Sequence, residues 1–435
     1  MSADAIPEYA RLTASEASAA IHAGRLTSEA LVSACLERIA QREPDVQAWA
    51  WMDPDHALAQ ARACDRERPR SRLHGIPVGI KDVIDTFDMP TGYGSPIYHG
   101  HRPVADAACV SQIRELGGVI LGKTVSTEFA TRHPSKTRNP HRLSQTPGGS
   151  SSGSAAAVAD YMVPLALGTQ TSSSVIRPAA YCGVCGYKPT FGLINRAGLK
   201  FLSESLDTIG ILSRTVEDAA MLASELSGIA VSTPMDVRQK PLRIGLCRTP
   251  FWSQADTAVQ GSLLRVAGIL ENSGAQIGEI NLPADFSRMN EVQIALSAYE
   301  FYRALTHERT RHPQLISASL TGRIAAGGKV TRAEYEAAIA VAGRCRDWIG
   351  QVFEKFDLII APSTPSEAPV IATTGEPTFG LMWTLLQLPC MTLPCGAGPG
   401  GLPLGVQVIA PHGADTALFD RAGWVEQVVQ AAGRG

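Results

Sequence analysis

The stretch Val163-Pro164-Leu165-Ala166-Leu167-Gly168-Thr169-Gln170-Thr171-Ser172-Ser173-Ser174 passes from apolar residues into glycine and hydroxyl residues. Its first part, Val163 to Leu167, reads as a buried strand. Its second part, Gly168 to Ser174, then lies at that strand's carboxyl end, where α/β sheets bind ligands. Consecutive backbone N–H groups in such a loop can form a nest for an anion, a tetrahedral oxyanion included. Val175-Ile176-Arg177-Pro178 follows directly.

Outward from this stretch the same texture continues. Ile76 to Ile80 and Val119 to Leu121 read as buried strands, with a helix from Ala107 to Leu116 between them. A helix starts at Ala155 to Ala159, and Gly192 to Ile194 reads as a further short strand. Upstream, Thr27 or Ser28 caps a helix whose apolar residues Leu31, Cys35, Leu36 and Ile39 share a face, and a second helix runs from Pro54 through Ala63. Downstream, Val216 to Ser227 is an amphipathic helix and Leu242 to Leu246 a strand. Asp256 caps a helix that Gly274 ends, and Gln276 to Ile280 is the strand after it. A helical region extends to about Phe356, Asp357 to Ala361 is a strand, and Gly401 to Ile409 reads as turn then strand. Strands alternating with helices predict an α/β sheet covered on both faces. No internal repeat or low-complexity linker divides the chain, so one continuous domain over residues 1–435 is expected.

Bulk composition narrows the function. The 435 residues are 45% hydrophobic and 18% charged, with a formal net charge of −2, which suits a folded chain with a sizeable core. There is no basic surplus to neutralise phosphates, which argues against nucleic acid and against a polybasic membrane contact. Met1 to Glu8 has neither the positive nor the apolar region of a secretory signal, and no window approaches the ~18 apolar residues of a membrane span. A soluble, cytoplasmic protein is the expectation. The nine cysteines are scattered, with only Cys182 and Cys185 spaced C-x-x-C, and read as small buried thiols rather than metal ligands.

Two familiar patterns are set aside. Gly117 to Thr124 matches G-x-x-x-x-G-K-[ST], but the apolar run Val119-Ile120-Leu121 sits inside it, where a phosphate-cradling turn belongs. Gly149-Ser150-Ser151-Ser152-Gly153 matches G-x-S-x-G, yet polar, proline-broken residues 139–147 precede it instead of a strand. The histidines a downstream triad would need, His307, His312 and His412, sit among arginine, proline and glycine.

What remains is serine chemistry without histidine. Gly148, Gly149 and Gly153 let a backbone turn tightly and present Ser150 inward, although alone this loop reads as an ordinary surface turn. Lys81 stands among Val78, Ile80, Val83 and Ile84. At its ordinary pKa of ~10.4 only about one lysine in 2,500 is neutral at pH 7, a deficit of roughly 4 to 5 kcal/mol for a base. Burial lowers a lysine pKa by about 3 to 5 units, enough to make Lys81 a base for a serine. Asp82 and Asp85 would oppose that shift if they pointed inward, but alternation along an extended run turns Asp82 away.

Together these motifs resemble the amidase signature family. The matching residues are His74-Gly75-Ile76-Pro77-Val78-Gly79-Ile80-Lys81-Asp82, Pro147 to Ala157, Gly168 to Ser174, Cys182-Gly183 with Gly186 to Thr190, and Gly401 to Gln407. Gln170 and Ser174-Val175-Ile176-Arg177-Pro178 bring it nearest to malonamidase-like small bacterial amidases. The resemblance implies one domain built on a mixed, mostly parallel sheet of about ten strands between helical layers. Its catalytic core would span about 70–200, with N-terminal helices at 8–65 and a helical and substrate-pocket region at about 200–435. It implies Ser174 as nucleophile, Ser150 as a bridging serine in a cis peptide and Lys81 as base. The oxyanion would be held by the N–H groups of Thr171, Ser172, Ser173 and Ser174. Substrate-binding candidates are Arg177, Gln170, Trp383 and Met382, with no metal and no cofactor.

The implied activity is hydrolysis of a small linear amide, with anilides, esters and carbamates (a urethanase activity) within reach. The implied partner is a small-molecule substrate rather than nucleic acid or membrane, and a homodimer is the usual expectation for small members. The family also contains the glutamine-hydrolysing subunit of an amidotransferase, which is the alternative, and a non-catalytic binding protein on the same scaffold is a remote one. One departure stands out: Ser172-Ser173 replaces the usual Gly-Gly. A backbone there that needed positive φ would be strained, and the acyl pocket narrowed.

Overall fold

Alternation along the quoted strand sets the architecture. In the computed structural model, which describes residues 5–230 and 241–433, Leu165 and Leu167 pack on one face with Val78, Ile80, Ile120, Ile209 and Ile211. Ala166 between them faces the other side, against Leu121, Leu212 and Ala155 to Val158. Both faces are therefore covered, one by the helix Val216–Ser227 and the other by Ser152–Ala159. Each fully buried Leu or Ile contributes about 1.5–3 kcal/mol, so the two faces anchor this region strongly.

Eleven strands form one sheet among the described residues: β1 (Trp49–Met52), β2 (Pro77–Lys81), β3 (Val119–Thr124), β4 (Leu165–Gln170), β5 (Cys185–Lys188), β6 (Thr208–Ser213), β7 (Arg243–Leu246), β8 (Gln276–Glu279), β9 (Leu358–Pro362), β10 (Cys390–Ala397) and β11 (Pro403–Ile409). Their order is β1-β3-β2-β4-β6-β5-β10-β11-β9-β7-β8. This is the expected single α/β domain with a mixed sheet between helical layers. Parallel pairing occupies two triplets, β3-β2-β4 and β9-β7-β8. The remaining six pairings, at the centre and at β1, are antiparallel.

Several boundaries differ from the sequence reading. Gly192 to Ile194 forms a turn, not a strand, because Gly192 has φ +83° and no partner strand reaches it. The structure adds the antiparallel strands β1, β5, β6 and β10 and the helices Ile176–Cys182, Thr378–Leu385 and Asp415–Ala432 to the elements expected from sequence. Thr27 caps the early helix, its side chain accepting from Ala30 N, and Asp256 caps Thr257–Asn272 as expected. Strand β3 indeed lies inside the phosphate-loop pattern, and Lys123 Nζ is buried against Ile84 O and Thr91 Oγ1. All nine cysteines are free, and all but Cys64 are buried. Among the described residues no helix is long and apolar enough to cross a membrane. Residues 1–4, part of the N-terminal reading, and residues 231–240 and 434–435, within the expected domain and its region at about 200–435, lie outside the described residues.

Candidate active site

Because β2 and β4 run parallel and in contact, their carboxyl ends open on the same edge of the sheet. Lys81 closes β2 and Thr169-Gln170 close β4. Lys81 is fully buried, and its Nζ lies 2.7 Å from both Ser150 Oγ and Thr169 Oγ1. Burial drives its pKa well below the ordinary lysine value, and the negative charge of Asp207 opposes that shift. Asp82 is turned away as expected, its carboxylate accepting from Gly92 N at 3.1 Å.

Ser150 is held from both sides. The Gly149–Ser150 peptide is cis, and Gly148 has φ +84°, where an added Cβ would sit 2.7 Å from Pro178 Cα. Arg177 Nη2 donates to Gly149 O at 2.6 Å and Thr127 N to Ser150 O at 3.2 Å. Ser151 then ties the two serine clusters together: its N–H donates to Ser174 O at 3.3 Å and its Oγ accepts from Thr169 N at 3.2 Å.

The Gln170–Ile176 turn is fastened by side chains outside the reacting groups. Gln170 Oε1 accepts from Val175 N at 2.9 Å and Ile176 N at 3.0 Å, fixing the entry to the helix Ile176–Cys182. Thr171 Oγ1 donates to the buried carboxylate of Asp207, which also accepts from Leu202 N and Ser203 N. None of the N–H groups of Thr171, Ser172, Ser173 and Ser174 donates to a described residue. Thr171, Ser173 and Ser174 are buried and Ser172 is partly buried, and consecutive backbone N–H groups without partners can form a nest for an anion.

The Ser172-Ser173 departure is absorbed without the strain it suggested, since neither residue has positive φ. Ser172 Oγ accepts from Gln293 Nε2 at 3.1 Å, and Ser173 Oγ is buried beside Gly380 without a hydrogen-bond partner among the described residues. Ser174 is 6% exposed, and no hydrogen bond joins its hydroxyl to Ser150 Oγ. Catalytic contacts of this kind often tighten only when substrate binds.

The substrate-binding candidates divide. Gln170 is engaged within the protein, its Nε2 donating to Thr384 Oγ1 at 2.9 Å. Met382 and Trp383 are buried in an apolar cluster with Ile176, Leu206 and Leu385, and Trp383 Nε1 has no hydrogen-bond partner among the described residues. Arg177 is buried, yet its Nε and Nη1 have no partner among the described residues, and burial lowers its pKa to about 10. The sequence assigns no individual role to Thr169, Asp207, Gln293 or Thr384. Only Thr169 carried a local signal, as the residue two past a strand's last apolar position. Among the described residues, no cluster of three or more His, Cys, Asp or Glu is placed to hold a metal ion.

Comparison with known proteins places the chain in a family. Residues 30–419 match the Amidase family. A glutamyl-tRNA(Gln) amidotransferase subunit from Acidothermus cellulolyticus is 35% identical, over 94% of this chain and 92% of its own length. Its counterpart in Roseiflexus sp. is also 35% identical, over 92% of each chain. The solved peptide amidase from Stenotrophomonas maltophilia is 30% identical with a TM-score of 0.84, covering 97% of this chain and 98% of that one. Another solved amidase is 29% identical with a TM-score of 0.88, covering 96% and 99%. The chain belongs to the amidase family, and it is an amide-hydrolysing enzyme. Nearness to malonamidase rests on the Gln170 and Ser174–Pro178 motif alone.

Proposed function

We propose that this chain is a free-standing hydrolase of small linear amides, with anilides and carbamates within its chemical reach. The observation that carries this reading is a buried Lys81 amine, biased toward its uncharged form, 2.7 Å from Ser150 Oγ. Neutral Lys81 takes the Ser150 proton while Ser150 takes the Ser174 proton, and Ser174 Oγ attacks the amide carbonyl. The N–H groups from Thr171 to Ser174 hold the oxyanion, supported by their lack of partners among the described residues. Reversal of the relay delivers a proton to the leaving amine, and water then cleaves the acyl-enzyme by the same route. Every proposed catalytic group falls within the core at about 70–200, and residues 1–435 act as one unit.

Arg177 is the specificity group within this reading. Its two unpartnered donors suit a substrate carboxylate, while its third arm holds Gly149 O. Arg177→Ala is expected to lower kcat on all amides by releasing Gly149 O, and in addition to raise KM for acidic amides roughly tenfold or more above any change for neutral ones. Equal losses on both classes would make Arg177 a brace for the Gly149–Ser150 turn only.

A second reading comes from the amidotransferase relatives at 35% identity: this chain would hydrolyse glutamine for a partner protein. A screen of acidic amides, anilides, carbamates and glutamine, with Ser174→Ala as control, separates the two. Turnover of linear amides by the chain alone supports the first. Glutaminase activity that appears only with a partner protein overturns it in favour of the second.

A further inference from the structure

Two peptide planes of the Gln170–Ile176 turn are each pinned by one side chain from a distant helix. Gln293, on the helix Met289–Ala304, donates through Nε2 to Thr171 O at 2.8 Å. Thr384, on the helix Thr378–Leu385, donates through Oγ1 to Ser172 O at 2.7 Å. The Thr384 hydroxyl also lies 2.9 Å from Gly380 O on its own helix, so the shorter contact is the one to the turn. Both side chains are buried, where such bonds have no competition from water.

A trans peptide is planar, so its C=O and N–H point in opposite directions. Holding Thr171 O toward Gln293 therefore aims Ser172 N–H away from that helix. Holding Ser172 O toward Thr384 likewise aims Ser173 N–H away from the second helix. These are two of the four N–H groups that have no partner among the described residues. Thr384 does a further job by accepting from Gln170 Nε2, whose Oε1 caps Val175 and Ile176. One hydroxyl thus links the donors of the anion site to the start of the helix that follows Ser174.

We propose that Thr384 and Gln293 are positioning residues that orient the Ser172 and Ser173 N–H groups toward the oxyanion. The proposal rests on the reading above, in which this turn stabilises a tetrahedral intermediate. Neither residue touches the reacting atoms, and each acts through a peptide plane.

The test is Thr384→Val, which keeps the shape and removes the hydroxyl, alongside Thr384→Ser and Gln293→Met. Each is assayed for kcat and KM on the best amide from the screen, and for the rate at which an alkyl fluorophosphonate labels Ser174. Loss of one oxyanion donor costs about 10²–10³ in kcat, so misaiming one is expected to cost about 10- to 100-fold. The drop should fall on kcat and on labelling rate together, with KM nearly unchanged, and Thr384→Ser should recover most of it. A brace with no role in aiming would leave the labelling rate of folded variants at the wild-type value, which overturns the proposal and leaves the hydrolase reading standing. If Thr384→Val does not fold, Gln293→Met decides by the same two readouts. A wild-type chain that neither turns over amides nor is labelled at Ser174 removes the hydrolase reading itself, and the proposal with it.

Discussion

Lys81→Met is expected to lower kcat on any accepted amide by about 10²- to 10⁴-fold, the range a positioned proton-transfer group supplies. The fold should survive the change. Lys81 has no carboxylate in direct contact, so the substitution removes a desolvated amine and leaves an apolar stem among residues already buried. Ser150 Oγ and Thr169 Oγ1 each lose a partner, at about 1 kcal/mol apiece, which the relief of desolvation offsets. Steady-state kinetics and thermal unfolding of the variant check both halves of the expectation. Near-wild-type turnover by Lys81→Met would leave Ser174 without its base.

The same lysine fixes two pH dependences. Burial favours its neutral form, so wild-type kcat/KM should rise with pH along an ionisation well below pH 10.5, and residual Lys81→Met activity should lack that limb. For stability the folded pKa is depressed, so the unfolded chain binds more protons between that value and 10.5. Lys81's contribution to stability therefore increases with pH across that window and is flat below it. Comparing the pH dependence of unfolding in wild type and Lys81→Met isolates the contribution.

Gly380→Ala is expected to cripple the enzyme from outside the reacting groups. An added Cβ would sit 2.5 Å from Ser173 Cβ and 3.0 Å from Ser173 Cα, so backbone of the oxyanion turn has to move. Overpacking of this kind costs about 1–3 kcal/mol of stability. A displacement near 1 Å at a reacting geometry costs about 100-fold in rate, and the kcat loss should be of that order. Ser173→Gly in the same chain removes the Cβ and hydroxyl that clash, so the double variant should recover much of both losses. Kinetics and melting of the two single variants and the double give the coupling. Additive losses would show that Gly380 matters for some reason other than Ser173.

How far the sequence revealed these arrangements depends on the range of the contacts. Lys81 was legible because an amine in an apolar β-run is locally anomalous, and Gly168 to Ser174 because it follows an apolar strand. The helix Val216–Ser227 carries its own period and cap, and it came out with the bounds the structure has. By contrast, β5, β6 and β10 contain glycine, serine or proline, and what makes them strands is pairing with distant partners. The helix Ile176–Cys182 contains Pro178, which masks its start. Thr384 and Gln293 lie over a hundred positions from the turn they hold, so no spacing pattern could join them to it. Asp207 reaches Thr171 across 36 positions and was silent for the same reason. Met382 and Trp383 read ambiguously because an apolar helix beside a site has the same sequence pattern whether it faces ligand or core.

The most direct test is to titrate the Lys81 side chain itself. In protein labelled with ¹³C at lysine Cε, the Lys81 resonance is identified by its loss in Lys81→Met and followed against pH in the folded enzyme. A midpoint well below 10.5 is the predicted result. A midpoint at the ordinary lysine value, with the enzyme still active near neutrality, would contradict the account.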